Sequence, residues 1–310
     1  MDRVRLQLGA DVAHAKGLYG NGIGVAVLDS GILPHPDFIE KKNRITAFLD
    51  FTEETVCPIC VQEKHREVAF RDPAGHGTHV AGILGGDGSR SYGKYCGLAP
   101  ECHIICCRVL DENGEGSADS VREAIRWVIA HKDEYGIRIM NISFGSTESG
   151  NKVAEELNAI AESAWDAGLV VVASAGNSGP MPGSVTAPGS AKKIITVGGE
   201  AVELKPGRGP TEECVMKPEV VAPSAGIMST AVYGGASVSQ KRRYAYVRRS
   251  GTSMATPMVS GAIAVLLGCE PGLTNKEVKW ILKRSAVPLG LAREIQGWGR
   301  VNLKNMLEEL

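Results

Sequence analysis

The sequence predicts an α/β protein, a single domain built on a mostly parallel β-sheet with helices on both faces. Three observations lead there. Short continuous apolar runs such as GVAVLD and LVVVAS recur along the chain, the mark of strands buried on both sides. Segments with helical spacing of apolar residues lie between them, and strand–helix–strand alternation implies parallel pairing with helical crossovers. No linker, low-complexity tract or internal repeat divides the 310 residues, so residues 1–310 read as one domain. Hydrophobic residues make up 43% and can fill a sizeable core, and 38 glycines suit tight turns and close helix–sheet contacts.

The elements follow in order. GVAVLDSG reads as a buried strand ending in an acid and a glycine, and HIICCRVL as a second strand. In SADSVREAIRWVIAHK, Val121, Ala124, Ile125, Val128 and Ile129 fall on one helical face, with Ser120 and Glu123 offering a capping box. IRIMNISFG is the next strand, NKVAEELNAIAESAWDAG a helix closing at Gly168, and LVVVASAGN and KKIITVGG are two more strands. Thr274 and Glu277 cap a late helix, NKEVKWILKRSA. Residues 51–72 read as a surface excursion and residues 232–249 as a second irregular stretch.

Composition excludes several classes. A formal net charge of -1 gives no field aimed at nucleic acid. No stretch reaches the roughly 18 apolar residues that span a bilayer, so no membrane partner is expected. The segment MDRVRLQLGADVAHAKG has no apolar signal region, and the eight cysteines form no legible disulfide framework. Reduced thiols in an intracellular protein are expected, with a secreted protein stripped of its leader as the alternative. Cys57 and Cys60 form one CxxC pair without a second ligand pair nearby, which makes a thiol- or metal-dependent protein a minor reading.

In an open parallel sheet, ligands bind beyond the carboxyl ends of the strands. Asp29, Ser143 and Asn177 all stand there. GHGTHVAG carries His76 and His79 at the start of a small-residue helix; the acid of a helical HExxH zinc site is absent. SGTSMATP brings Ser253 to the mouth of the apolar helix MVSGAIAVLLG, where free N–H groups favour developing negative charge. Pro257 is then expected within the first turn, which needs no N–H donor. Asp29, His76 and Ser253 supply a carboxylate, a base and a weak nucleophile, the three parts of nucleophilic catalysis by serine. Singly, each has a plainer use: Asp29 as a turn former, Asn177 as a left-handed turn residue, Ser253 as a helix cap.

The segments VLDSGI, HGTHVAG, ASAGNSG and GTSMATP together resemble the signature segments of the subtilisin-like serine proteases, the subtilases. HPDF, SFG and GRGPTEECVMKPEVVAPSAGI are similar to further family segments, so the resemblance runs over almost the whole chain. It implies a serine endopeptidase working through an acyl-enzyme. In that reading Asp29 orients the imidazole, His76 is the base, Ser253 the nucleophile, and Asn177 donates to the oxyanion. His79 is then structural. The resemblance also implies a polypeptide substrate laid beside Ser143, Phe144 and Gly145, with Ser174, Ala175 and Gly176 as the other wall of a pocket for a medium or large apolar side chain. No cofactor is needed for the chemistry. A structural calcium ion is implied at Asp37, with Asp87 in GGDGSRSYGKYCGLAP as a second ligand. Lys241, Arg242, Arg243, Arg248 and Arg249 precede the nucleophile and read as a solvated loop or as an attractor of acidic substrate positions. The rival class is a non-catalytic binding protein on the same scaffold.

Overall fold

The structure is a computed structural model that describes residues 1–52, 57–60, 70–146, 151–232 and 245–310, with the side chains at 57–60 and 151 left aside. Along the chain run helices α1 (Asp2–Gln7) and α2 (Ala10–Ala15), strand β1 (Gly24–Asp29), helix α3 (Pro36–Ile39), strands β2 (Ile45–Asp50) and β3 (Cys57–Cys60), and helix α4 (His76–Gly85). Then come β4 (His103–Arg108), α5 (Ala118–His131), β5 (Ile137–Ile142), α6 (Asn151–Asp166), β6 (Val170–Ser174), β7 (Ile195–Gly199), β8 (Val220–Ala222), β9 (Ile227–Thr230) and β10 (Tyr246–Arg249). The chain ends in α7 (Thr252–Cys269), α8 (Asn275–Ser285), α9 (Arg293–Gln296) and α10 (Leu303–Glu308).

The main sheet has the order β3-β2-β4-β1-β5-β6-β7-β8, and every pairing in it is parallel except β2 with β3. Strand β1 lies between β4 and β5, where the winding reverses direction, so its carboxyl end opens the crevice in which this sheet type binds ligands. Helices α5 and α6 pack on each other and reach β1 and β6, while α4 and α7 pack on each other and against β1 and β5 to β8. One apolar cluster runs through all these layers, from Val25, Val27 and Leu28 in β1 to Val259, Ile263 and Leu267 in α7.

Four expectations are corrected. Helix α5 is capped by Ser117, whose side chain accepts from Ser120 N–H, and not by Ser120. Pro257 lies in the second turn of α7 rather than the first, so its missing N–H leaves the Ser253 carbonyl without the usual i+4 donor. Cys57–Cys60 pairs antiparallel with β2 as an edge strand inside the stretch read as an irregular excursion, and Tyr246–Arg249 likewise pairs with β9; the rest of both stretches lies largely outside the described residues. Helix α7 is long and apolar enough to cross a membrane, with a mean hydropathy of 1.5 over 18 residues, yet 83% of that window is buried inside the fold. It passes the bilayer test because it is surrounded by protein on all sides. The capping box of Thr274 and Glu277 on α8 forms as expected.

Candidate active site

Asp29 ends β1 and is fully buried. Its Oδ1 receives His76 Nδ1 at 2.7 Å and the N–H of Ser30 at 2.8 Å, while its Oδ2 has no hydrogen-bond partner among the described residues. A proton on His76 Nδ1 is therefore fixed toward the carboxylate, which leaves Nε2 as the basic lone pair. His76 is the first residue of α4. The helix start is held by Asp72, whose carboxylate accepts Gly75 N–H at 2.9 Å, Thr78 N–H at 2.7 Å and the Thr78 hydroxyl at 2.6 Å. A carboxylate there satisfies free N–H groups and lies at the favourable end of the helix dipole.

Ser30 stands between the two acids. Its hydroxyl donates to Asp72 at 2.7 Å, lies 3.3 Å from Asp29 Oδ1, and accepts Gly77 N–H at 3.0 Å. A hydroxyl has one proton, and the shorter contact shows it committed to Asp72. Asp72 and Ser30 were missed in the sequence, although an acid shortly before a helix start is a capping signal. Burial disfavours the His76 imidazolium, but the charge and hydrogen bond of Asp29 outweigh it and raise its pKa above the ordinary 6.5; Asp72 adds to the rise and Arg249 opposes it.

Ser253 is the second residue of α7, partly exposed in a helix that is otherwise buried through most of its length. Gly251 precedes the helix with φ +135°, a backbone conformation that side-chain-bearing residues rarely adopt. Asn177, at the end of the segment following β6, accepts the N–H of Thr252 through Oδ1 at 3.1 Å. That bond fixes the amide orientation, so Nδ2 is the edge left to donate at the start of α7. Among the described residues His76 makes no hydrogen bond to Ser253; contacts of this kind often tighten only when substrate is bound. What joins their supports is His79. This buried side chain approaches the carbonyls of Ile227 and Val247 through Nε2, both at 3.1 Å, tying α4 to the strand pair that runs into Ser253. Burial pushes its pKa down to about 3, so it is a neutral structural tie, as expected.

Ser143 to Gly145 leave the end of β5, and Ser174 to Gly176 leave β6 beside it, with the Ser174 hydroxyl donating to the Phe144 carbonyl at 3.1 Å. Asn141 anchors this wall from below: it donates to Ser143 Oγ at 2.9 Å and accepts Ser260 Oγ of α7 at 2.8 Å. Thr186 was not foreseen. Its hydroxyl, buried and without a hydrogen-bond partner among the described residues, lies so close to Gly145 and Gly176 that a methyl on either glycine would collide with it.

Asp37 and Asp87 are both engaged within the fold. Both Asp37 oxygens accept the Tyr246 hydroxyl, at 2.9 and 2.8 Å, and Oδ1 also takes Arg90 N–H at 3.1 Å. Asp87 caps Ser89 N–H at 2.8 Å and pairs with Lys41 at 3.4 Å. Among the described residues no group of three or more His, Cys, Asp or Glu suited to a metal occurs. The Cys57 and Cys60 side chains and Lys241, Arg242 and Arg243 lie outside the described residues.

Comparison with known proteins matches residues 20–299 to the subtilase family, peptidase S8. The serine protease AprX of Bacillus subtilis is 34% identical over 315 residues, covering 95% of this chain and 68% of the relative. Subtilisin Savinase of Lederbergia lenta is 32% identical over 293 residues, covering 94% of this chain and 93% of the relative. Among solved structures, Sphericase superposes with a TM-score of 0.72 at 28% identity, covering 93% of this chain and 96% of that one.

Proposed function

Because the chain belongs to the subtilase family of serine endopeptidases, we propose that Asp29, His76, Ser253 and Asn177 carry out its peptide-bond hydrolysis and that residues 1–310 form one catalytic domain. Ser253 Oγ attacks the scissile carbonyl carbon while His76 Nε2 takes the hydroxyl proton. Asp29 holds the imidazole through Nδ1 and stabilises the imidazolium. The carbonyl oxygen becomes an oxyanion, met by Asn177 Nδ2 and by backbone N–H groups at the α7 start. His76 passes its proton to the amine, the C–N bond breaks, and an acyl-serine is left. Water, deprotonated by the same histidine, attacks the ester, releases the acid and restores the serine.

The observation that carries this reading is the 2.7 Å contact between His76 Nδ1 and Asp29 Oδ1 at the sheet's switch point. An extended polypeptide would lie against Ser143, Phe144 and Gly145, with Ser174, Ala175 and Gly176 opposite and Thr186 as the floor between them. Digestion of a diverse peptide library, read by mass spectrometry, tests the assignment. Cuts by the wild-type protein that disappear in Ser253→Ala are expected. Undiminished cutting by that variant would overturn it.

A further inference from the structure

We propose that Arg249 selects substrates carrying an acidic residue immediately after the scissile bond. The inference rests on the roles assigned to His76 and Ser253 and names the substrate class of that same site.

Arg249 closes β10, four residues before Ser253. Its Nη2 donates to the carbonyl of Ala74 at 2.9 Å, two residues before His76. A methyl on Gly75 would come within 3.3 Å of the same nitrogen, so the guanidinium lies against the loop that delivers the base. Its charge reaches His76 and opposes protonation there. The side chain is only part-buried, and its partner among the described residues is a neutral carbonyl rather than a carboxylate. Among the described residues, Arg249 is therefore a cation without a charge partner beside the catalytic base.

The chemistry fixes which half of the substrate meets it. His76 protonates the leaving amine, so the residue contributing that amine sits on the His76 side of Ser253. The acyl half lies on the other side, along Ser143 to Gly145. A carboxylate on the first leaving-side residue then meets the free donors of Arg249 in a charge-assisted hydrogen bond, and a lysine there meets like charge. The other charged groups nearby do not supply this. Asp29 and Asp72 are buried and already accept from His76, Ser30 and Thr78. His79 is neutral, and Arg248 donates to the Gly226 carbonyl.

The test compares peptides identical except for Glu, Gln or Lys at the first position after the cut, measured as kcat/KM at neutral pH. The wild-type protein is expected to prefer Glu over Lys by about fivefold or more at low salt, the scale of one part-exposed ion pair, and the ratio is expected to shrink as salt rises. Arg249→Gln should remove the preference, Arg249→Glu should reverse it, and Arg249→Lys should keep it. Arg248→Gln, the neighbouring cation, should leave the ratio as in wild type. Equal rates for the three peptides with the wild-type protein, or a preference that survives Arg249→Gln, would overturn the inference. Ser253→Ala, run on the same peptides, separates this failure from failure of the underlying assignment: a charge-blind enzyme that still needs Ser253 sinks only the role of Arg249, whereas cleavage indifferent to Ser253 sinks both.

Discussion

His76 carries the sharpest electrostatic consequence. With its pKa raised, the acid limb of kcat/KM is expected above pH 6.5, because only the neutral imidazole takes the serine proton. The stability sign runs the other way. A histidine whose folded pKa exceeds its unfolded value contributes stability fully below the unfolded value, and that contribution fades as pH rises through the folded one. Acid therefore silences the enzyme while the His76–Asp29 pair is at its firmest. Asp72→Asn removes a carboxylate that supports the imidazolium, so its acid limb should move toward lower pH; a pH–rate profile in which the limb stays or moves upward would contradict the role given to Asp72. The proposed set of Asp29, His76, Asn177 and Ser253 could be named from the sequence because each stands at an element boundary among glycines and hydroxyl residues. Asp72 and Ser30 were not, because their partnership joins positions 42 residues apart that only the folded chain brings together. Thr186 was hidden for the same reason: its neighbours Gly145 and Gly176 come from two other segments.

Elements were legible where one face is apolar or a strand is buried on both sides. The five runs read as strands lie at β1, β4, β5, β6 and β7. ITAFLD went unread, although it pairs with β4, because the polar run KKNR precedes it and Thr46 and Asp50, both only part-buried, break its apolar run. The start of α5 was misplaced because two serines, Ser117 and Ser120, compete for one cap, and only the structure shows Ser117 Oγ receiving the Ser120 N–H. Buried charge joins elements at a place the pattern did not flag. Glu219, just before β8, accepts Lys217 Nζ at 2.9 Å, Lys279 Nζ of α8 at 2.9 Å and Thr196 N–H of β7 at 2.9 Å. Burial works against the Glu219 carboxylate, but Lys217 and Lys279 hold its pKa below the ordinary 4.5, while burial brings the Lys217 ammonium down to about 8. Glu219→Ala leaves a fully buried ammonium unpaired, and a loss of about 3–5 kcal/mol in denaturant unfolding is expected. A loss under about 1 kcal/mol would show that the interior tolerates the charge alone.

At the scale of the molecule, the fold class and family were readable because four short segments in one order imply a single topology. The sheet order was not readable, since apolar runs do not say which strands are neighbours. That order places Asp29 at the switch point, where it bonds His76 at the start of α4, and α7 packs on α4. The measurement that bears most directly on the assigned chemistry is covalent labelling with a fluorophosphonate serine probe, followed by peptide mapping. One equivalent on Ser253 is expected, with labelling lost in His76→Ala, since the serine needs its base to attack the phosphorus. Labelling at another residue, or an active protein left unlabelled at Ser253, would contradict the assignment of Ser253 as nucleophile.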